Sequence, residues 1–439
     1  MVAAVVIPLL AWLLVTLTRR AVTSDERTRI TRIVLFGYGI RLFLFEAVMR
    51  RVAFFSHGVA GGDCLGYQDL GSIIAQYWRF GHVHFVTETE MPQLGQAALP
   101  CNLLALLEYV DGAPAPLAGT AVNAFLACWT TLLIHRFIRD AGAAALPAER
   151  VMLLVLFGPS FLYHTSDTYK DGINAFLVMA GLLNAIRLAQ HFDARRLAYL
   201  VVSLSFLWFV RHYMVFMCLV PLSLGILGVG KASLPRRLAA GVFLVGVLAA
   251  LFYSGSGARA LDTAAETYNR ATSSAVLSYN AGARYTASAP TGSGVITSNY
   301  GEALLYTLFA PFPWQSGSMG FQLGKIEALI FYLYMYVVYK NRGYLWRHQR
   351  PVLLMLGTFV VPATLAYAAT MSNVGLILRQ RMPIVIGIAI LAGIGYGRHA
   401  QRAAAAATPG DVGGPAPPGP RAGQPSFLRS VNRTEPESP

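Results

Sequence analysis

Long apolar segments recur along almost the whole chain, and they constrain the fold more than any other feature. Most have about 15 to 23 residues, close to the length that an α-helix needs to cross a bilayer. Only 13% of the 439 residues are charged, whereas a soluble domain has about 25%. A soluble protein with a large core is disfavoured, and the segments lack the alternation of barrel strands. We therefore expect an all-α, polytopic transmembrane protein.

About eleven spans are predicted from these segments. The sixth and seventh are short and meet at Arg211, which favours a broken pair of helices. One long helix over 197–230 stays open as an alternative, and it would invert the topology of everything that follows. The predicted spans are 2–18, 33–55, 117–135, 151–165, 172–190, 197–210, 213–230, 238–254, 323–339, 351–371 and 383–397.

Basic residues orient the predicted spans. The short loops after odd-numbered spans carry about twice as many Lys and Arg as the longer loops on the other side, which makes the short loops cytoplasmic. The first apolar run has no basic residue before it and Arg19 and Arg20 after it, the wrong polarity for a cleaved signal peptide. We expect a multi-pass protein of the cytoplasmic (inner) membrane with its N-terminus outside and its C-terminus inside. Its net charge of +14 then reflects topology and attraction to membrane lipids, and not nucleic acid.

Two parts of the chain are expected from composition. Residues 1–402 are expected to form a transmembrane domain with two long outer loops, about 56–116 and 255–322, which carry amphipathic helices. Residues 403–439 are rich in Ala, Pro and Gly and are expected to be a disordered cytoplasmic tail. One amphipathic face in the first loop is predicted from Leu70, Ile73, Ile74, Tyr77 and Trp78.

Polar residues gather at the outer ends of the predicted spans, where they are costly and therefore point to function. Arg211, Arg379, Arg381 and Lys170 could surround a phosphate or pyrophosphate, because arginine and lysine suit phosphate oxygens. Asp63, in a glycine-rich loop, could act as a general base towards a substrate hydroxyl. The supporting residues at these ends are Tyr67, Asp69, Asp167, Asp171, His212 and Tyr213.

Structural explanations compete with these roles. Asp63, Asp167 and Asp171 could cap helices, since Asp is favoured at N-caps. Arg379 and Arg381 could be loop charges or headgroup binders. Arg41 and Glu46, deep in a span, could pair with each other, and Cys64 and Cys101 in the first outer loop could form a disulfide.

Metal and nucleotide chemistry have little support in the sequence. The cluster His82, His84, Glu88 and Glu90 lacks clear further ligands for a metal site. No cofactor is assigned, although a divalent cation, Mg²⁺ or Mn²⁺, could bridge Asp63 and a pyrophosphate. No nucleotide-binding fingerprint occurs, which disfavours a nucleotide-powered pump.

Several motifs resemble the GT-C glycosyltransferases, membrane enzymes that use polyprenyl-phosphate sugars. The similar segments are RIVLFGYGIRLFLF, GGDCLGYQDLGSIIAQYW, PSFLYHTSDTYKDG, VRHY and NVGLILRQRMPIVIGIAIL. The resemblance implies that Asp63 is the catalytic base and that Lys170, Arg211, Arg379 and Arg381 bind the lipid phosphate. It also implies an inverting transfer to a glycan, lipid or protein acceptor.

Two other functions stay open. An O-antigen-type polysaccharide polymerase or ligase would depend on Arg379, Arg381 and the second outer loop more than on Asp63. A flippase or transporter of lipid-linked sugars would place charged residues through the bilayer midplane.

Overall fold

The computed structural model describes residues 1–50, 62–190, 193–224, 242, 246, 300–314, 319–370 and 374–407. This part of the chain is helical and contains no strand, which confirms the all-α part of the predicted fold class. The helices are α1 Val2–Ala21, α2 Ser24–Leu44, α3 Gly62–Phe80, α4 Ala98–Asp111, α5 Pro116–Asp140, α6 Ala145–Leu156, α7 Pro159–His164, α8 Asp171–Gln190, α9 Ala194–Trp208, α10 His212–Leu224, α11 Tyr300–Phe309, α12 Met319–Lys340, α13 Arg342–His348, α14 Arg350–Thr370, α15 Val374–Gln380 and α16 Met382–Ala407.

Helices α5 and α8 form the centre of the bundle. Helix α5 packs against α1, α2, α6 and α8, and α8 packs against α9 and α10. Both helices are rich in small residues, which let helix backbones approach closely inside a membrane protein. Gly119 of α5 illustrates this, because a Cβ there would lie only 2.3 Å from Leu104 Cδ2 of α4.

Four helices within the described residues, α1, α5, α8 and α14, are long and apolar enough to cross a membrane. Large apolar side chains also lie exposed on the outside of the bundle, where a soluble protein would expose few. Examples are Leu9 and Trp12 on α1, Leu329 and Leu333 on α12, and Val361 on α14. These two features indicate a membrane protein.

Several helix ends differ from the predicted spans. Helix α2 begins at Ser24, nine residues before the predicted span. The apolar pattern missed the first turns of this helix because they are charged. The predicted span 151–165 is divided by Gly158 and Pro159 into α6 and α7. The predicted break at Arg211 is present, since α9 ends at Trp208 and α10 begins at His212.

Arg41 connects α2 to the junction of α6 and α7. Its Nε donates to Thr165 Oγ1 at 2.7 Å, its Nη1 to Gly37 O at 2.8 Å and its Nη2 to Leu156 O at 2.7 Å. The suggested pair with Glu46 is wrong, because Glu46 contacts Arg50 at 3.2 Å one turn further along. A buried guanidinium must satisfy its donors, and three oxygens within reach of Arg41 do so.

The segment predicted as the first outer loop forms a helical hairpin of α3 and α4. Ile74 and Trp78 of α3 are buried in it, whereas Ile73 and Tyr77 lie exposed on the other side of the helix. The predicted apolar face is therefore wider than the side that packs on α4. The described residues do not include 51–61, most of the predicted second outer loop with its amphipathic segment at 261–268, most of the predicted span 238–254 or residues 408–439. Helix α16 continues to Ala407, past the predicted start of the tail.

Candidate active site

Arg379 joins two carboxylates that lie far apart in the sequence. It lies in the last turn of α15; its Nη1 contacts Asp63 Oδ2 in the first turn of α3, and its Nε donates to Asp171 Oδ2 at 2.5 Å. Its guanidinium also covers the ring of Tyr169, 4.7 Å from the ring centroid. The ends of three helices thus meet at one arginine.

Asp171 is held between two arginines. Its second oxygen, Oδ1, accepts from Arg211 Nη2 at 2.8 Å, and both side chains are at least 96% buried. Arg211 Nη1 contacts the Tyr213 hydroxyl at 3.2 Å, and that hydroxyl donates to Gln380 Oε1 at 2.8 Å. A buried carboxylate needs compensating cations, so Asp171 and the two arginines form one interdependent unit.

The loop between α7 and α8 ends at Lys170, and Asp171 follows as the first residue of α8. This loop is fixed by Asn123 of α5, whose Nδ2 donates to Asp167 O at 2.7 Å. The start of α8 lies directly against the same asparagine, because Gly172 has no side chain. Asp171 in the first turn of α8 is also favoured by the positive end of the helix dipole.

Gly172→Ala is expected to destabilise the protein by about 1–3 kcal/mol, the usual cost of overpacking a close-packed interior. A Cβ at Gly172 would lie 2.0 Å from Asn123 Oδ1 and 2.9 Å from Asn123 O. Gly181→Ala is the matched control on the same helix, because its Cβ would meet only Leu204 Cδ2, at 3.8 Å. Thermal unfolding in detergent should show a lower melting temperature for Gly172→Ala alone. Equal melting temperatures for the two variants would contradict this close approach.

Asp63, Asp171, Arg211 and Arg379 form one cluster of ion pairs, and Lys170 lies beside this cluster. Its Nζ donates to Gln96 O at 2.8 Å and lies 5.7 Å from the ring centroid of Tyr67. Burial, with Arg211 and Arg379 nearby, lowers the pKa of Lys170 to about 7. Its charge therefore changes near neutral pH, where an ordinary lysine stays protonated.

Together with the sequence-based expectation that Lys170 binds a phosphate, this pKa predicts that the affinity of the protein for a singly charged phosphodiester falls as the pH rises through about 7. Below that pH Lys170 carries a positive charge that attracts the anion, and above it the charge is lost. Lys170→Arg should bind with little dependence on pH, since arginine stays protonated. Calorimetric titration with dimethyl phosphate, whose own charge is constant over this range, measures both profiles. The same pH dependence in Lys170→Arg and the wild type would contradict the assignment.

The remaining supporting residues lie around the cluster or turn away from it. Asp69 lies on the exposed side of α3. The carboxylate of Asp167 accepts from the backbone N–H of Thr168 at 2.6 Å, and burial raises its pKa. His212 stacks on Trp208 with ring centroids 4.7 Å apart, and its Nε2 lies 3.6 Å from Glu88 Oε2.

Arg381 does not lie with the phosphate-binding candidates. It is buried, and its Nη1 donates to the backbone oxygens of Thr307 and Leu308, each at 3.3 Å. The last carbonyls of a helix lack partners within the helix and carry partial negative charge, so a cation at the end of α11 is favourable. The structure therefore gives Arg381 a packing position, contrary to the sequence-based expectation.

Three residues around the cluster were not predicted: Tyr169, Gln380 and Gln96. Tyr169 and Gln380 are direct sequence neighbours of Lys170 and Arg379, and that adjacency was the available signal. Gln96 contributes a backbone carbonyl to Lys170, so its side-chain type gave no indication.

The structure also gives the positions of the cysteines and of the residues suggested as metal ligands. Cys64 and Cys101 are buried free thiols, so the disulfide suggested from the sequence is not formed. His84 Nε2 contacts Glu90 Oε2 at 2.7 Å. Within the described residues, no group of three or more His, Cys, Asp or Glu side chains is arranged to hold a metal ion.

The fold and the cluster define a helical membrane protein in which carboxylates, arginines and a lysine meet at the ends of several helices. Comparison with known proteins does not narrow this description further. No protein family matches the chain, and no curated protein or solved structure matches it significantly.

Proposed function

We propose that the protein is an integral membrane glycosyltransferase. It would transfer a sugar from a polyprenyl-phosphate or polyprenyl-pyrophosphate donor to a glycan, lipid or protein acceptor. The observation that carries the proposal is the meeting of Asp63, Asp171, Arg211 and Arg379, with Lys170 beside them. This combination offers a carboxylate for proton transfer next to cations for a phosphate.

The reaction assigns a role to each side. The acceptor hydroxyl gives its proton to Asp63 while its oxygen attacks the anomeric carbon of the sugar. The bond from that carbon to the phosphate oxygen breaks, and the electron pair stays on the lipid phosphate. Arg211, Arg379 and Lys170 stabilise the charge that develops on this leaving group. Attack from the face opposite the phosphate inverts the anomeric carbon.

The exposure of the two carboxylates supports different roles for them. The Asp63 side chain is 55% exposed, whereas that of Asp171 is 1% exposed. A base must reach its substrate within hydrogen-bond distance, which suits Asp63. Asp171 is enclosed by its two arginines, so it is suited to hold them in place.

The site would lie on the outer face of the cytoplasmic membrane, in a protein of about eleven spans with its N-terminus outside. Nucleotide sugars are not supplied on that face, which is why the donor is a lipid-linked sugar. Labelling of single cysteines by a membrane-impermeant reagent tests this arrangement. A cysteine at Gln76, exposed on α3, should react in intact cells, and reaction only after lysis would overturn the topology.

The alternatives draw less support from the geometry. A polymerase or ligase that depends on Arg381 is disfavoured, because that side chain is buried against α11. A transporter would use charges within the bilayer, yet each nitrogen of Arg41 is already hydrogen-bonded within the protein, to Thr165, Gly37 and Leu156.

Transfer by the purified protein in liposomes tests the enzyme directly. The donor would be a radiolabelled polyprenyl-phosphate sugar added outside, with lipid and glycan extracts as acceptors. We expect a labelled product that requires Asp63, and product formation would exclude a function limited to transport. A parallel reaction with EDTA tests a bridging Mg²⁺ or Mn²⁺. Failure to form product with monophosphate and pyrophosphate donors alike would overturn the proposal.

A further inference from the structure

We propose that Asp63 and a phosphodiester anion compete for Arg379, so that binding of the donor releases Asp63 from its ion pair. This inference rests on the proposed function in taking Asp63 as the base. We call the Asp63–Arg379 contact the exchangeable pair. Because of this pair, the Asp63 carboxylate becomes available for catalysis only when an anion occupies the site.

The first argument is the unequal burial of the two carboxylates on Arg379. Asp171 is 1% exposed and is shared with Arg211, whereas Asp63 is 55% exposed. Ion pairs that water can reach contribute little to stability, while buried ones are costly to break. An incoming anion therefore displaces Asp63 and leaves Asp171 in place.

The second argument is the use of the three nitrogens of Arg379. Nε is bonded to Asp171, Nη1 contacts Asp63, and Nη2 is buried with no partner among the described residues. Nη1 and Nη2 together form the outer fork of the guanidinium, which binds two oxygens of a phosphate in parallel. A phosphodiester at this fork would satisfy both nitrogens, where Asp63 satisfies one.

The third argument is charge. Asp171 offsets one of the two buried guanidinium charges, and Asp63 offsets the other. A phosphodiester carries one negative charge and can take over this compensation. The exchange conserves the charge around the arginines and leaves the Asp63 carboxylate free to accept a proton. Donor binding should therefore precede productive acceptor binding.

Carbodiimide labelling of carboxylates, read by mass spectrometry on the full-length protein in detergent, tests the exchange. Asp69, exposed on the same helix, is the internal reference. Dimethyl phosphate is the anionic probe, and neutral trimethyl phosphate is its matched control. We expect dimethyl phosphate to raise the ratio of Asp63 to Asp69 labelling several-fold, and trimethyl phosphate to leave it unchanged. Arg379→Gln should show the high ratio without any anion.

An unchanged ratio at concentrations of dimethyl phosphate that saturate its effect on the melting temperature would overturn the exchange. The absence of any binding would overturn it as well. The wild-type comparison does not depend on whether Arg379→Gln folds. Labelling also needs no turnover, so the two proposals fail separately. Labelling that responds without glycosyl transfer would overturn the enzyme alone, and Asp63-dependent transfer with unresponsive labelling would overturn the exchange alone.

Discussion

Replacing Asp63 by asparagine is expected to lower the rate of glycosyl transfer by about 10²- to 10⁴-fold, the usual contribution of a general base. Asparagine keeps the shape of the side chain but cannot accept the acceptor's proton. It also carries no charge towards Arg379, so the affinity for the donor should be unchanged or higher. The loss should therefore fall on kcat and not on the dissociation constant of the donor.

Single-turnover transfer and equilibrium binding of the donor in detergent measure the two effects separately. Asp25→Asn is the matched control, because Asp25 is an exposed carboxylate at the start of α2. It should transfer sugar at the wild-type rate. Wild-type turnover in Asp63→Asn would show that another group takes the proton. Lost donor affinity with normal kcat would instead assign Asp63 to binding.

Replacing Asp171 by asparagine is expected to destabilise the protein by about 3–5 kcal/mol, as measured when one partner of a buried ion pair is removed. The amide fits the same space, so the effect comes from charge. Arg211 and Arg379 would then face each other in a buried environment without their shared anion. Transfer should also fall, since the arginines lose their fixed positions.

A second substitution separates charge from packing at Asp171. Adding Arg211→Gln to Asp171→Asn removes one of the uncompensated cations, so the double variant should lose less free energy of unfolding than the two single losses added together. Asp25→Asn again serves as the control, with a change below about 1 kcal/mol expected at an exposed first helical turn. Strictly additive losses would mean that Asp171 and Arg211 contribute independently.

The all-α class and the membrane character follow from the sequence because the length of apolar segments is a strong signal. The break at Arg211 could be predicted, since a charged residue that interrupts apolar sequence is costly unless the helix ends there. The division at Gly158 and Pro159 was missed, because the apolar pattern continues across it. Helix ends formed by backbone geometry leave little trace in hydropathy.

Most residues of the candidate site could be predicted from the sequence, but the directions of their side chains could not. Asp63, Lys170, Asp171, Arg211 and Arg379 could be placed at one side of the protein from the predicted ends of the spans, and the structure brings them together. The direction of each side chain could not be obtained in this way. Arg379 and Arg381 are two residues apart at the corner between α15 and α16, yet they lie against different helices. Hydropathy and composition contain no information on the direction of an individual side chain at such a corner.

Three consecutive residues at the corner between α15 and α16 contact four other helices that lie far apart in the sequence. Arg379 contacts the starts of α3 and α8, Gln380 accepts from Tyr213 of α10, and Arg381 donates to the end of α11. One inserted residue would turn the side chains after it by about 100° along a helix and misdirect several attachments at once. Variation in chain length should therefore be tolerated in the surface turns of this protein but strictly absent between Leu378 and Met382.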